Sequence, residues 1–171
     1  MINDTMQNAF NEQINAELFS AYLYRSMAAY FDHINLPGCA HWMKLQAEEE
    51  MSHADKFYHF LNERGGRVVL TAIDAPPTEW DSPLDAFAAA KAHEEYVTRR
   101  INDLVDNALE TSDHASKIFL DWFVTEQVEE EAHADAIVQQ LTLIKDSPQA
   151  LFMLDRELGR RTAGTDETEG D

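Results

Sequence analysis

The chain has 171 residues, 44% of them hydrophobic, which suits one folded domain with a sizeable core and excludes a disordered polyelectrolyte. Thirteen Lys and Arg stand against 32 Asp and Glu, and the resulting formal charge of −19 repels nucleic acid and anionic lipid while attracting cations. A single cysteine, Cys39, excludes an intramolecular disulfide framework and any multi-cysteine zinc or iron–sulfur site.

The first residues contain no basic stretch followed by an apolar one, and no uninterrupted apolar run reaches the roughly 18 residues of a membrane span. The expectation is a soluble, cytoplasmic protein with neither membrane nor nucleic acid as a partner. Asp4, with Gln7 behind it, predicts the start of a first helix that runs to about His33. Asn35-Leu36-Pro37-Gly38 is a short turn, and a second helix follows to Gly65-Gly66. Arg67 to Pro83 holds β-branched residues, Pro76-Pro77 and Trp80, and reads as a link. Ser82-Pro83 with Asp85 signals a third helix, to about Glu110, by a capping hydroxyl, a proline at the first helical position and an acid two residues on. Asp113 caps a fourth helix ending near Lys145, and Ser147-Pro148 repeats the start signal for a short fifth helix to about Leu158. Residues 1–159 form one domain, and 160–171 form an acidic tail expected to be disordered.

Four helices of about 27 to 32 residues are roughly 40–48 Å long. Short turns make the first pair and the last pair antiparallel hairpins, and the link between the pairs can extend to roughly 55 Å at about 3.3 Å per residue. The prediction is an all-α four-helix bundle with one long crossover between the second and third helices. Phe60, Trp80 and Phe152 are surplus apolar positions expected to lie between subunits of a homo-oligomer.

Read in alternating steps of three and four, each helix carries an apolar stripe interrupted by acid. The stripes run Phe10, Ile14, Glu17, Ala21, Tyr24, Ala28, Phe31; Met43, Ala47, Glu50, Ala54, Phe57, Leu61; Phe87, Ala90, Glu94, Val97, Ile101, Leu104, Ala108; and Phe119, Phe123, Glu126, Glu130, Ala134, Ile137, Leu141, Ile144. Glu17 and Glu50 flank the first turn at similar distances, as Glu94 and Glu130 flank the Ser112-Asp113 turn, so all four carboxylates reach nearly one height. A buried carboxylate costs several kcal/mol unless it is paired, protonated or metal-bound. No Lys or Arg shares these stripes, so bound cations are the economical answer. Glu50-Met51-Ser52-His53 adds an imidazole one helical step from Glu50, and Glu130-Glu131-Ala132-His133 repeats the pattern. Carboxylates with an imidazole favour iron, manganese or zinc over calcium. A di-metal bundle is the reading these residues support.

With those residues in place, the sequence resembles the bacterial non-haem ferritins over about residues 5 to 158. Asn15-Ala16-Glu17-Leu18, Glu48-Glu49-Glu50-Met51-Ser52-His53 and the stretch Trp122 to Glu131 carry the likeness. The resemblance implies a ferritin-like fold, iron storage, and a ferroxidase centre that oxidises Fe(II) with O2 or H2O2 as partner. It implies that Glu17, Glu50 and His53 hold one iron and Glu94 and Glu130 a second, with Glu50 bridging. Tyr24 is then the nearby electron-donating tyrosine, Gln127 an amide behind the ligands, and Glu49, Glu126 and Glu129 a third iron site. A hollow shell of about twenty-four subunits filled with ferric mineral completes the expectation.

Two departures point toward the haem-containing bacterioferritins. His133 stands where they complete a symmetric site, one helical step from Glu130 and able to reach the second metal. Met51 stands where their haem-ligating methionine stands, although methionine also occupies that place in haem-free ferritins, and haem is not expected. Rubrerythrins need four cysteines, and the DNA-protecting mini-ferritins place their iron between subunits. A non-storing di-iron oxidase and a metal-buffering bundle are the remaining alternatives.

Overall fold

The computed structural model describes residues 1–145 and 147–163, so most of the expected acidic tail lies outside the described residues. Five helices and no strand occur among them: α1 (Asp4–His33), α2 (Pro37–Glu63), α3 (Pro83–Glu110), α4 (His114–Leu143) and α5 (Pro148–Leu158). Ser82, Asp113 and Ser147 cap α3, α4 and α5, each side-chain oxygen accepting a backbone N–H three residues on. At α1 the cap is Asn3 rather than Asp4: its Oδ1 accepts from Met6 N–H at 2.9 Å. Asp4 becomes the first helical residue, where its charge favours the helix N-terminus.

Both hairpins reverse in the same way. Asn35 and Ser112 adopt positive φ, at 60° and 54°. Behind them Leu36 N–H reaches the Phe31 carbonyl and Asp113 N–H the Ala108 carbonyl, closing the last helical turns. Accordingly α1 packs chiefly on α2 and α3 chiefly on α4, while α1 also meets α3 and α5 meets α2.

The crossover, residues 64–82, is irregular and is stitched to α1 by side chains that look solvent-facing in sequence. Gln7 accepts from Arg67 N–H at 2.8 Å, Asn11 accepts from Val69 N–H at 2.7 Å, and Asn15 donates to Thr71 Oγ1 at 2.9 Å. These bonds supply partners to a segment that has no ladder of its own.

α2 begins at Pro37 without a side-chain cap from its own flank. The missing acceptor comes from α5, where buried Asp155 takes the Cys39 N–H on Oδ1 at 2.8 Å. A Cβ on Gly38 would sit 1.6 Å from the Asp155 carbonyl oxygen, so only glycine permits this approach.

The core has two apolar halves. One is built around Tyr24, Met27, Phe31, Met43 and Phe87, the other around Phe10, Phe57, Leu61, Ile101 and Phe123. The acids of the stripes lie between them. Phe60 and Trp80, expected at subunit contacts, already pack inside the chain: Phe60 stacks on Phe119 with ring centroids 3.9 Å apart, and Trp80 meets Tyr30 edge-on at 5.3 Å. Phe152 is exposed.

Candidate metal centre

The helical period and the hairpin geometry put the acids together. Glu94 and Glu130 each lie 18 residues from Ser112, the reversal of their hairpin. Glu17, Glu50, His53, Glu94 and Glu130 are all at most 4% exposed. On α4 the buried line runs Phe123, Gln127, Glu130, Ala134, so Glu126 sits half-buried on its edge rather than within it.

Two groups of ligand atoms form, each within 4.8 Å: Glu17, Glu50 and His53 in one, and Glu49, His53, Glu126 and Glu130 in the other. His53 belongs to both, its Nδ1 lying 3.4 Å from Glu50 Oε2 and its Nε2 4.0 Å from Glu126 Oε1. Trp122 and Phe123 contact the imidazole edge-on. Glu94 belongs to neither group; the Tyr24 hydroxyl donates to its Oε1, and Gln127 Nε2 donates to its Oε2 at 3.3 Å. Gln127 also donates to Thr98 Oγ1 at 3.2 Å, which fixes its amide. Glu129 is half-buried and His133 exposed, and both stand outside the two groups. Met51 is exposed on the outer side of α2.

Two glutamines absent from the sequence reading support the ligands from behind. Gln13 Nε2 donates to Glu17 Oε1 and Gln46 Nε2 to Glu130 Oε2, both at 2.7 Å. Gln13 precedes its partner Glu17 by four residues, a signal available in the sequence, whereas Gln46 reaches Glu130 across 84 residues and leaves none. Arg161, beyond α5, donates to Glu49 at 2.9 Å and had no local signal.

The electrostatics favour a cation. Burial first, then the charges of Glu94, Glu17 and Glu130, push the Glu50 carboxyl well above its ordinary range. Burial raises Glu17 against the hydrogen bond from Gln13. Glu130 is raised by burial and by the charges of Glu94 and Glu49, with Gln46 and Arg161 opposing. Glu94 is raised to about 7, again by burial. Burial drives His53 down to about 3, so the imidazole is neutral and able to ligate. Glu17 Oε2 and Glu50 Oε2 have no hydrogen-bond partner among the described residues. Two buried carboxyl oxygens without donors, beside a neutral imidazole, fit a divalent transition metal that would displace the protons.

A four-helix bundle with a single long crossover and a buried layer of carboxylates and histidine is the arrangement of the ferritin-like bundles. Residues 7–144 match the family described as the ferritin-like domain, and the chain belongs to the ferritin family of iron-storage proteins. It is 44% identical to a bacterial non-haem ferritin of Bacteroides fragilis over 161 residues, covering 94% of this chain and all of the relative. A bacterial non-haem ferritin of Staphylococcus aureus is 39% identical over 162 residues, or 95% of this chain and 98% of the other. The open-pore ferritin of the hyperthermophilic archaeon Archaeoglobus fulgidus superposes with a TM-score of 0.94 at 52% identity, covering 95% of this chain and all of that one.

Proposed function

We propose that this ferritin is a ferroxidase: it takes Fe(II) and dioxygen as substrates and stores the ferric product as mineral inside a homo-oligomeric shell. The observation that carries the reading is the pair of donorless oxygens, Glu17 Oε2 and Glu50 Oε2, in a buried layer that holds four carboxyls and one neutral imidazole. Glu17, Glu50 and His53 bind one Fe(II). Glu94 and Glu130 bind a second, with Glu50 shared between the two. Two ferrous ions lose one electron each, and dioxygen takes both with two protons to give hydrogen peroxide and two ferric ions. Anionic oxygen ligands hold the ferric state more tightly and so favour the oxidation.

The protein's own groups do the positioning. Tyr24 and Gln127 hold the two oxygens of Glu94. Tyr24 is the candidate donor of a further electron to the oxidant, its phenolic proton passing to Glu94. Glu49 and Glu126, with Glu130 and His53, form the outer group that receives a third iron on its way to the mineral; Glu129 lies on the same helix and is assigned to the approach. His133, exposed, is left out of the ligand set.

The shell is taken to comprise about twenty-four subunits. Among the described residues no helix is long and apolar enough to cross a membrane. That, with the single buried thiol Cys39, supports a cytoplasmic setting.

Aerobic loading of the apo-protein with excess Fe(II), followed by size chromatography with iron and protein assays, tests the proposal. Iron far above three ions per chain, co-eluting with a large shell, is the expected result. Glu50→Ala is expected to slow initial oxidation at least about tenfold. Iron limited to two or three ions per chain on a small oligomer would keep the metal centre and remove storage. Unaltered oxidation in Glu50→Ala would remove the centre.

A further inference from the structure

We propose that Arg100 and Arg161 are positioning residues for the metal centre. Each grips the carbonyl of a buried glutamine, so that the glutamine's NH2 must face a ligand carboxylate. The inference rests on the metal-centre reading above and adds two residues that lie outside its proposed ligand set.

The two arrangements are parallel. On one side Arg100 Nε donates to Gln13 Oε1 at 2.9 Å, and Gln13 Nε2 donates to Glu17 Oε1 at 2.7 Å. On the other, Arg161 Nη1 donates to Gln46 Oε1 at 2.8 Å, and Gln46 Nε2 donates to Glu130 Oε2 at 2.7 Å. Both glutamines are fully buried. The chemistry fixes the direction of both chains: a guanidinium has only donors and must take the amide oxygen, which leaves the glutamine's NH2 to face the carboxyl.

That direction matters at the ligands. Each chain occupies one oxygen of its carboxylate and leaves the other to the centre. At Glu17 the remaining oxygen is the donorless Oε2. Without the arginine, an amide turns over about its last torsion at little cost, and the carboxylate loses its fixed donor. Each arginine is itself held at the periphery. Arg100 donates to the Tyr96 hydroxyl at 3.3 Å, and Arg161 lies over Trp42, 4.9 Å from the ring centroid, with its other fork nitrogen on Glu49 at 2.9 Å. A fork shared between Gln46 and Glu49 makes the Arg161 side the one that also shapes the outer group.

The chains end on different ligands, so their effects separate. Anaerobic Co(II) titration of the full-length apo-protein, read by calorimetry and by the visible d–d band, tests this with wild type, Arg100→Ala, Arg100→Lys, Arg161→Ala and Arg161→Lys. Arg100→Ala is expected to weaken a single tight Co(II) equivalent about tenfold and to change its band, as groups behind ligands generally do. Arg161→Ala is expected to do the same to a different equivalent, and the lysine variants, which still donate to the glutamine carbonyl, to recover part of each loss. Wild-type affinities and bands in both alanine variants would overturn the inference. So would equal losses in the alanine and lysine variants that track a fall in the urea midpoint, which would make the role structural. Wild type binding Co(II) no better than Glu50→Ala would instead overturn the metal-centre reading, and the inference with it.

Discussion

Glu50 is buried among three other carboxyls, with Glu94, Glu17 and Glu130 all acting on it, and burial alone already disfavours its charge. The apo-protein answers by holding protons. Glu94 moves from an ordinary 4.5 to about 7, and Glu17, Glu50 and Glu130 move in the same direction. An acid whose folded pKa lies above its unfolded one contributes stability that is complete below the unfolded value and is lost as pH rises through the folded value. Over the Glu94 window, from 4.5 to about 7, the apo-protein therefore loses stability as pH rises. Metal requires the ionised ligands, so its affinity grows over the same window. Calorimetric melting of Zn(II)-loaded and apo-protein should show a larger metal-induced rise in Tm near pH 7.5 than near pH 5.5. A rise that is equal or smaller at the higher pH would mean that protons and metal do not compete for these carboxyls.

At the scale of helices, α5 matters through what it lends to α2. Asp155 supplies the cap that Leu36 does not, and Gly38 allows the two backbones to meet. Asp155→Ala leaves the Cys39 N–H buried without an acceptor and is expected to cost about 1–3 kcal/mol, read from the urea midpoint. A midpoint equal to that of wild type would show that water replaces the carboxylate there. This contact also marks the limit of what the sequence reveals. Ser82, Asp113 and Ser147 announce their helices because a cap lies three residues from its partner. The stripe acids announce themselves because a helical period is local. The Asp155 cap joins residues 116 apart, and Arg161 reaches Gln46 across 115, so neither leaves a pattern in any short window. The Asn3–Asp4 shift is of another kind: both residues cap well, and only the backbone turn decides between them. Glu126 differs again: from Phe123 a step of three reaches Glu126 and a step of four reaches Gln127, and the buried line on α4 takes the longer step there.

For the whole molecule, the charge of −19 surrounds a layer of buried acids whose own ionisation is disfavoured by burial and by one another. The same acid layer divides the apolar interior into a half containing Tyr24, Phe31 and Phe87 and a half containing Phe10, Phe57 and Phe123. The four long helices run through both halves, so the halves share a backbone but not a continuous greasy interior. Hydrogen bonds such as Gln13 to Glu17 and Gln46 to Glu130 hold the layer together, and on the proposed reading bound ions would add to them. On that reading the bundle is two small cores soldered by cargo. Native-state hydrogen exchange should find the amides around Glu17, Glu50, Glu94 and Glu130 opening more readily in the apo-protein than those in either half, with Zn(II) closing that gap. Uniform protection along the apo helices would show the two cores already acting as one. If the gap is present, filling the centre also converts two semi-independent cooperative units into a single one, and iron status becomes readable in the folding cooperativity of the chain.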